Sequence, residues 1–410
     1  MNNNKKIVIS FGHIPREFGG KQFSGLAQAM WRLANEINKI KSDYKVIFVS
    51  TDIYNHKSKI ENTDVIGWNP KLLLKYSIID PAIIFKYIYF AIQLKFKYKF
   101  SFLNTLLKLI FWGKTLLTYK DEIDIVHIHG VNNFAILNKL VTPTNYKVIL
   151  TIHAITGNDE TQTHKRIQYK LEETIIRNKN IGSIVFVTET IRKTFLQLYG
   201  KPASPTSVIL NGYDALIFNI KEPQKNLNQT SKLNLLIIGA VSALKGQRRA
   251  LEALSLLPST LKNKFILTLI GVDDNNKVPE LLKFAKINNI ELKFLGYQKP
   301  RKIAVVLQNV DYLILPSSSE GFGLVCLESI ACGKPVIIPK NLPLSLEFNV
   351  LNNLNSIKIE DHLAESIAKC LLELNKSPNS KEEISNTIKH LTWTNIVKKY
   401  IALYDMILSN

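Results

Sequence analysis

The chain has 410 residues, 46% hydrophobic and 9% aromatic. That globular composition excludes a disordered tract, and the length exceeds what one hydrophobic core comfortably holds. Its 53 basic residues against 33 acidic ones give a formal net charge of +20, which calls for a polyanionic neighbour: nucleic acid, an anionic membrane surface or phosphorylated ligands.

In chain order, the opening MNNNKKIVISFGHIP carries a short apolar run that reads as a first strand, not a secretory signal. Further short runs rich in β-branched residues follow at 44–50, 123–130, 146–154 and 182–188, separated by helix-like segments such as 24–40 and 163–178. This alternation predicts a parallel sheet covered by helices on both faces. The polar segment 219–232, NIKEPQKNLNQTSK, lacks periodicity and reads as a linker. The theme then restarts with strand-like runs at 233–242, 265–271, 291–297, 311–317 and 334–339. The expected organisation is a domain over 1–218, a second over 233–390 and a closing helix over 391–410 that packs back on the first. A ligand is expected in the cleft between two such α/β domains.

From Lys71 to Lys120 the chain holds nine lysines and one acid, Asp80, interleaved with Phe, Tyr, Trp and Leu. Lysine stems lie along apolar surface while their heads meet lipid phosphates, so the segment fits a membrane surface. It fits equally one or two core helices with exposed lysines. No stretch reaches the roughly eighteen uncharged apolar residues that a spanning helix needs. The cysteines Cys326, Cys332 and Cys370 are odd in number and lack metal-type spacing, which fits a reducing cytosol.

Residues 317–337 read SSSEGFGLVCLESIACGKPVI. A strand ending at 317 leads through a glycine turn into an apolar helix. Gly321 and Gly323 admit close backbone approach, the helix N-terminus favours a diphosphate, and Glu320 and Glu328 can accept hydrogen bonds from sugar hydroxyls. An ordinary loop with a solvated acid would look similar in isolation.

The wider context resembles the retaining nucleotide-sugar glycosyltransferases of family 4. Glu320 to Glu328 matches that family's E-x7-E element, and FGG at 18–20, DIVHIHG at 124–130, LTIHA at 150–154, VILNGYDALIF at 208–218, GAVSALKG at 239–246 and LTWTNIVKKYIALYDMIL at 391–408 resemble its other segments, in order. The resemblance implies the GT-B fold, two doubly wound Rossmann-like domains facing a central cleft. It implies that Gly19 and Gly20 face the donor diphosphate, where a side chain would block approach. It implies that His153 bonds a donor-sugar hydroxyl and that Lys245 neutralises the diphosphate. Glu320 would then bind the sugar beside the amides of Phe322, Gly323 and Leu324, and Glu328 the ribose. The partners so implied are a nucleotide-sugar, UDP-linked by first choice with GDP-mannose behind, and a glycan acceptor; the basic aromatic stretch fits a lipid-linked glycan at the cytoplasmic face of a membrane, in surface polysaccharide synthesis. No metal or other cofactor is expected. His127 and His129 are left without roles.

The sequence departs from the family pattern in three places. Ala240 stands where the family has arginine, so Lys245, helped by Arg248 or Arg249, must carry more of the diphosphate charge. GVDDN at 271–275 replaces a glycine-rich turn. PKNLPLSLEFN at 339–349 replaces the usual Gly-Gly-x-Pro-Glu, with Leu342-Pro343 and Glu347 as its expected remnant. Ala240 keeps a catalytically silent partner subunit in play, against intact Glu320, Glu328, His153 and Lys245, and a sugar-nucleotide epimerase of similar fold is a further alternative. Nucleic acid is disfavoured: the sequence has no basic recognition helix and no RNA-binding aromatic signature.

Overall fold

The computed structural model describes residues 5–20, 25–40, 42–53, 57–68, 81–141, 146–155, 162–221, 232–347, 349–377 and 379–409, with backbone alone at 81 and 162–166. The middle of the 219–232 segment and the start of the lysine-aromatic stretch lie outside these residues. The chain forms two compact units, 1–210 with 393–410, and 211–392.

Among the described residues the first unit has eight strands: β1 (Lys6–Phe11), β2 (Tyr44–Ser50), β3 (Ser58–Ile60), β4 (Thr63–Gly67), β5 (Ile123–His129), β6 (Lys147–Ile152), β7 (Ser183–Phe186) and β8 (Thr206–Val208). Their spatial order is β3-β4-β2-β1-β5-β6-β7-β8. All neighbours run parallel except β3 and β4, which form a hairpin at one edge. The apolar runs of β1, β2, β5 and β6 are buried along most of their length, as a sheet covered on both faces requires. The hairpin escapes notice in the sequence because β3 spans only three residues, none of them fully buried.

The second unit carries β9 (Leu233–Ile238), β10 (Phe265–Ile270), β11 (Glu291–Phe294), β12 (Tyr312–Ile314), β13 (Val336–Pro339) and β14 (Ser356–Ile359), in the order β11-β10-β9-β12-β13-β14 and parallel throughout. Leu235, Ile237, Leu267, Leu269 and Ile314 of this sheet pack with Leu251 and Leu254 from the helix Gln247–Ser255 into one core.

In each sheet the chain first winds outward on one side and then returns to the middle to wind outward on the other. The reversal falls between β1 and β5 in the first unit and between β9 and β12 in the second. Diverging connections at such a point leave a crevice at the carboxyl ends of the strands.

The last helix, Trp393–Ser409, belongs to the first unit. Ile396, Val397, Tyr400, Leu403, Tyr404 and Ile407 form its buried face at helical spacing. The Tyr44 hydroxyl donates to Asp405 (2.6 Å), and the Tyr404 ring meets Tyr44 edge-on at 5.2 Å. Just before that helix, the Tyr213 amide donates to the Leu391 carbonyl (3.0 Å), tying the first residues of the second unit to its last.

Candidate active site

In the second unit, Lys245 lies on the connection that follows β9, and Glu320 on the one that follows β12. These are the two strands that flank the reversal. Across 75 positions of sequence, the Lys245 ammonium donates to Glu320 Oε1 at 2.5 Å. The Ser317 hydroxyl donates to the same oxygen at 2.7 Å, and Ser317 is fully enclosed. Glu320 is thus held from two sides with a second carboxylate oxygen left to address another group.

The two loops are fastened to each other by backbone contacts. The Ser318 amide donates to the Leu244 carbonyl (2.9 Å). Arg249 donates to the Ala243, Leu244 and Pro316 carbonyls at 2.7, 3.2 and 2.9 Å. Gly246 has φ +76°, and a Cβ there would sit 2.2 Å from the Pro316 oxygen, so a side chain at this position would push the loops apart. Buried Gln247 donates to the Gly239 and Ala240 carbonyls (3.3 and 3.1 Å) and accepts from the Ser242 amide (3.2 Å), fixing the first loop from below.

These contacts change the roles given to the arginines. Arg249 clasps carbonyls, and Arg248 pairs with Glu252 (2.8 Å) and Glu280 (3.2 Å) while lying 3.9 Å over the Phe284 ring. Both guanidinium groups are therefore already engaged, and the cation bonded to Glu320 is the Lys245 ammonium.

Gly323, with φ +85°, opens the helix Leu324–Ala331. The first amides of a helix have no intrahelical acceptor and face outward from its end. Phe322 is buried and anchors the turn, whereas Leu324 and Glu328 are half-buried. Glu328 stands just over one turn into the helix. The segment around Glu347 forms a short 3-10 helix, Pro343–Leu346, that buries Leu344 and Ser345.

In the first unit, the loop after β1 folds into a 3-10 turn, Arg16–Phe18. Here the glycines answer to the chain itself. Gly19 takes φ +86°, and a Cβ on Gly20 would meet the Ile14 carbonyl oxygen at 1.9 Å. His13 Nδ1 and the Ile14 amide both donate to the buried Asp52 carboxylate at 3.1 Å, so the end of β2 props up this loop.

Three histidines gather at the ends of β5 and β6. His127 bonds the Tyr404 hydroxyl through Nδ1 and the Thr151 hydroxyl through Nε2, each at 2.8 Å. It is a core residue locking the last helix to the sheet. The His127 and His129 rings stack with centroids 4.2 Å apart. His129 Nδ1 lies 3.1 Å from Nε2 of half-buried His153. The other nitrogen of His129, Nε2, is buried and has no hydrogen-bond partner among the described residues. A buried lone pair is left unmatched at less cost than a buried N–H. The proton of His129 therefore belongs on Nδ1, donated to His153, and His153 carries its own proton on Nδ1. Burial holds His153 down to about 3; burial and then the charge of His153 do the same for His127, and burial and its two neighbours hold His129 well below the ordinary imidazole range. All three are neutral at pH 7.

The structure thus brings Lys245 and Glu320 together, with Phe322, Gly323, Leu324 and Glu328 following on the same loop and helix. It sets Gly19, Gly20 and His153 on the other unit. Sequence reasoning did not find Ser317, Gln247, Asp52 or Tyr404, and it did not foresee that Arg249 clasps backbone carbonyls. Their types are common at such positions, and only long-range contact reveals their work.

Comparison with known proteins follows the same division. Residues 23–215 match the model for Glycosyltransferase Family 4, and residues 218–391 the model for Glycosyl transferases group 1. An N,N'-diacetylbacillosaminyl-diphospho-undecaprenol alpha-1,3-N-acetylgalactosaminyltransferase of Campylobacter jejuni is 29% identical over 192 residues, 45% of this chain and about half (48%) of that enzyme. An uncharacterized glycosyltransferase of Methanocaldococcus jannaschii is 26% identical over 326 residues, covering 75% of this chain and 82% of the relative. Among solved structures, sucrose-phosphate synthase of Thermosynechococcus elongatus superposes with a TM-score of 0.74 at 15% identity, over 99% of this chain and 100% of that one. HepE of Anabaena, in complex with UDP and glucose, superposes with a TM-score of 0.68 at 15% identity, over 98% and 100%. With its two halves matching the two models of one enzyme group, the chain belongs to glycosyltransferase family 4 and has the GT-B fold.

Proposed function

We propose that the protein transfers a sugar, with retention of anomeric configuration, from a UDP-sugar to a lipid-linked glycan at the cytoplasmic face of a membrane, in surface polysaccharide synthesis. The observation that carries the reading is the Lys245–Glu320 pair at the strand reversal of the second unit. A ligand with a diphosphate and a hydroxylated sugar would divide that pair between its two ends. Lys245 and the N-terminus of the helix Leu324–Ala331 take the diphosphate, Glu320 the sugar hydroxyls and Glu328 the ribose. His153 offers a neutral N–H to a donor-sugar hydroxyl, and the loop at Gly19–Gly20 meets the reacting end of the donor. The lipid-linked acceptor follows the name of the Campylobacter relative, and UDP follows the HepE complex.

In this mechanism the bond from the anomeric carbon to the diphosphate oxygen breaks first, its electron pair leaving with UDP. The acceptor hydroxyl attacks from the same face and gives its proton to a departing phosphate oxygen. The enzyme stabilises positive charge at the anomeric carbon and negative charge on the diphosphate. The reading assigns the latter to Lys245 and helix amides, with no metal ion.

Thermal denaturation with UDP, GDP, CMP and their sugars tests the donor site. At about 100 times the dissociation constant, one nucleotide should add about 2.7 kcal/mol of stability. That gain should vanish in Glu328→Ala and weaken in Lys245→Ala. Sugar transfer should continue at an unchanged rate in EDTA. Absence of a shift with every nucleotide would favour a catalytically silent partner subunit, a reading to which Ala240 and the two engaged arginines lend support.

A further inference from the structure

The helix Pro81–Tyr98 is apolar on two opposite faces, and only one of them is covered. Tyr87, Ala91, Leu94 and Tyr98 are buried. The opposite face carries Phe85, Tyr89, Ile92 and Phe96, exposed by 72%, 57%, 40% and 73%. Their spacings of four, three and four residues confine them to about 60° of the helix circumference at ~100° per residue. Scattered exposed apolar residues need no explanation, but an aligned aromatic row does. Lys86 and Lys95 flank the row on its two sides, each exposed. From residue 81 to 120 the sequence contains seven lysines and no acidic residue.

One end of the row borders a cavity of about 610 Å³, among whose lining residues are Phe96, Lys97, Gln93, Asn138 and Lys139. Lys139 donates to Gln93 Oε1 (3.3 Å) and lies 5.2 Å from the Phe90 ring centroid. Burial, and after it the charge of Lys97, lowers the Lys139 ammonium from its ordinary range. An anion between the two lysines would relieve that repulsion.

We propose that this face docks on an anionic phospholipid bilayer, with the Phe85–Phe96 row at the acyl boundary and a headgroup phosphate in the cavity between Lys97 and Lys139. A second copy of the chain is a poorer occupant, because the lysine border would face its own like charge. The helix is not a span: among the described residues no helix is long and apolar enough to cross a membrane. Aromatic residues above a lysine border suit a helix lying in the interface. The docking rests on the lipid-linked acceptor reading and gives it a surface.

The test is flotation of the full-length protein with vesicles of phosphatidylcholine alone or mixed equally with phosphatidylglycerol, with the UDP thermal shift measured on the same samples. The wild type should float with the mixed vesicles, float little with phosphatidylcholine, and be released by about 0.5 M salt. Phe85→Ser combined with Phe96→Ser should lower partitioning about tenfold or more. Lys97→Gln combined with Lys139→Gln should lower it about fivefold per lysine. Both double variants should keep the wild-type UDP shift, which separates failure of docking from failure of the donor site. Equal flotation on both vesicles, or undiminished flotation of the serine variant, would overturn the proposal. So would a wild-type dimer that Phe96→Ser dissociates.

Discussion

At the residue scale, the histidines and the loop clasp define distinct consequences. His127, His129 and His153 are neutral in the folded protein, two of them held down to about 3 and the third well below the usual value. An unfolded histidine titrates near 6.5, so the unfolded chain binds more protons below that pH. Their contribution is complete above about pH 6.5 and is lost as pH falls toward the folded values. Buried His127 accounts for up to about 1.4 kcal/mol per pH unit of that fall. Stability from denaturant titration at pH 7 and pH 5 should differ accordingly, with a smaller difference in His127→Gln. Acid-insensitive stability over that range would show the imidazoles charged in place. Arg249 gives a second prediction. Its three carbonyl bonds hold the Lys245 loop to the Glu320 loop, and Arg249→Ala should cost about 2 kcal/mol in stability. It should also weaken nucleotide binding without touching the ligand's charge. Lys at 249 should restore little, since one ammonium cannot reproduce a fork that reaches three carbonyls.

At the scale of elements, the helix Trp393–Ser409 returns from the end of the chain to complete the first unit. Its buried face includes Trp393, Ile396, Tyr400 and Tyr404, each burying an amount of apolar surface worth about 1.5–3 kcal/mol for a large side chain. The sum approaches the whole stability of an ordinary domain. Deleting residues 393–410 should therefore leave the first unit without fixed packing, seen as lost near-ultraviolet circular dichroism and dye binding, while the core of the second unit survives. Native near-ultraviolet spectra from the truncated chain would contradict this. Periodicity in LTWTNIVKKYIALYDMIL announces an amphipathic helix, but not which surface receives it. That partner is chosen by contacts such as Tyr404 with His127, 277 positions apart. The hairpin β3–β4 shows the opposite limit. Three-residue Ser58–Ile60 has too few side chains to display alternation, and it exists because β4 offers it an edge.

At the scale of the whole molecule, the chemistry follows from where each sheet reverses. Hydrogen exchange with and without UDP should show protection concentrated at 239–249 and 316–331, the two connections that Lys245, Arg249 and Ser318 join. Protection spread evenly over the second unit would indicate general stiffening, not a site at the reversal. The sequence by itself determined the fold class. Strand runs of β-branched residues and intervening helical periodicity are local signals that a parallel α/β sheet must display. It also supplied Glu320, Glu328 and the glycine turn, since their spacing along one strand–turn–helix unit is short. Tertiary structure alone decided the strand order, and with it the meeting of Lys245 with Glu320, the enclosure of Ser317 and the diversion of Arg248 and Arg249. It also decided which apolar face of the helix Pro81–Tyr98 is covered. The reason is physical: local sequence fixes a residue's backbone state and the face of its element, whereas adjacency between elements is set by competition among many long-range packings. No short pattern in the chain records that outcome.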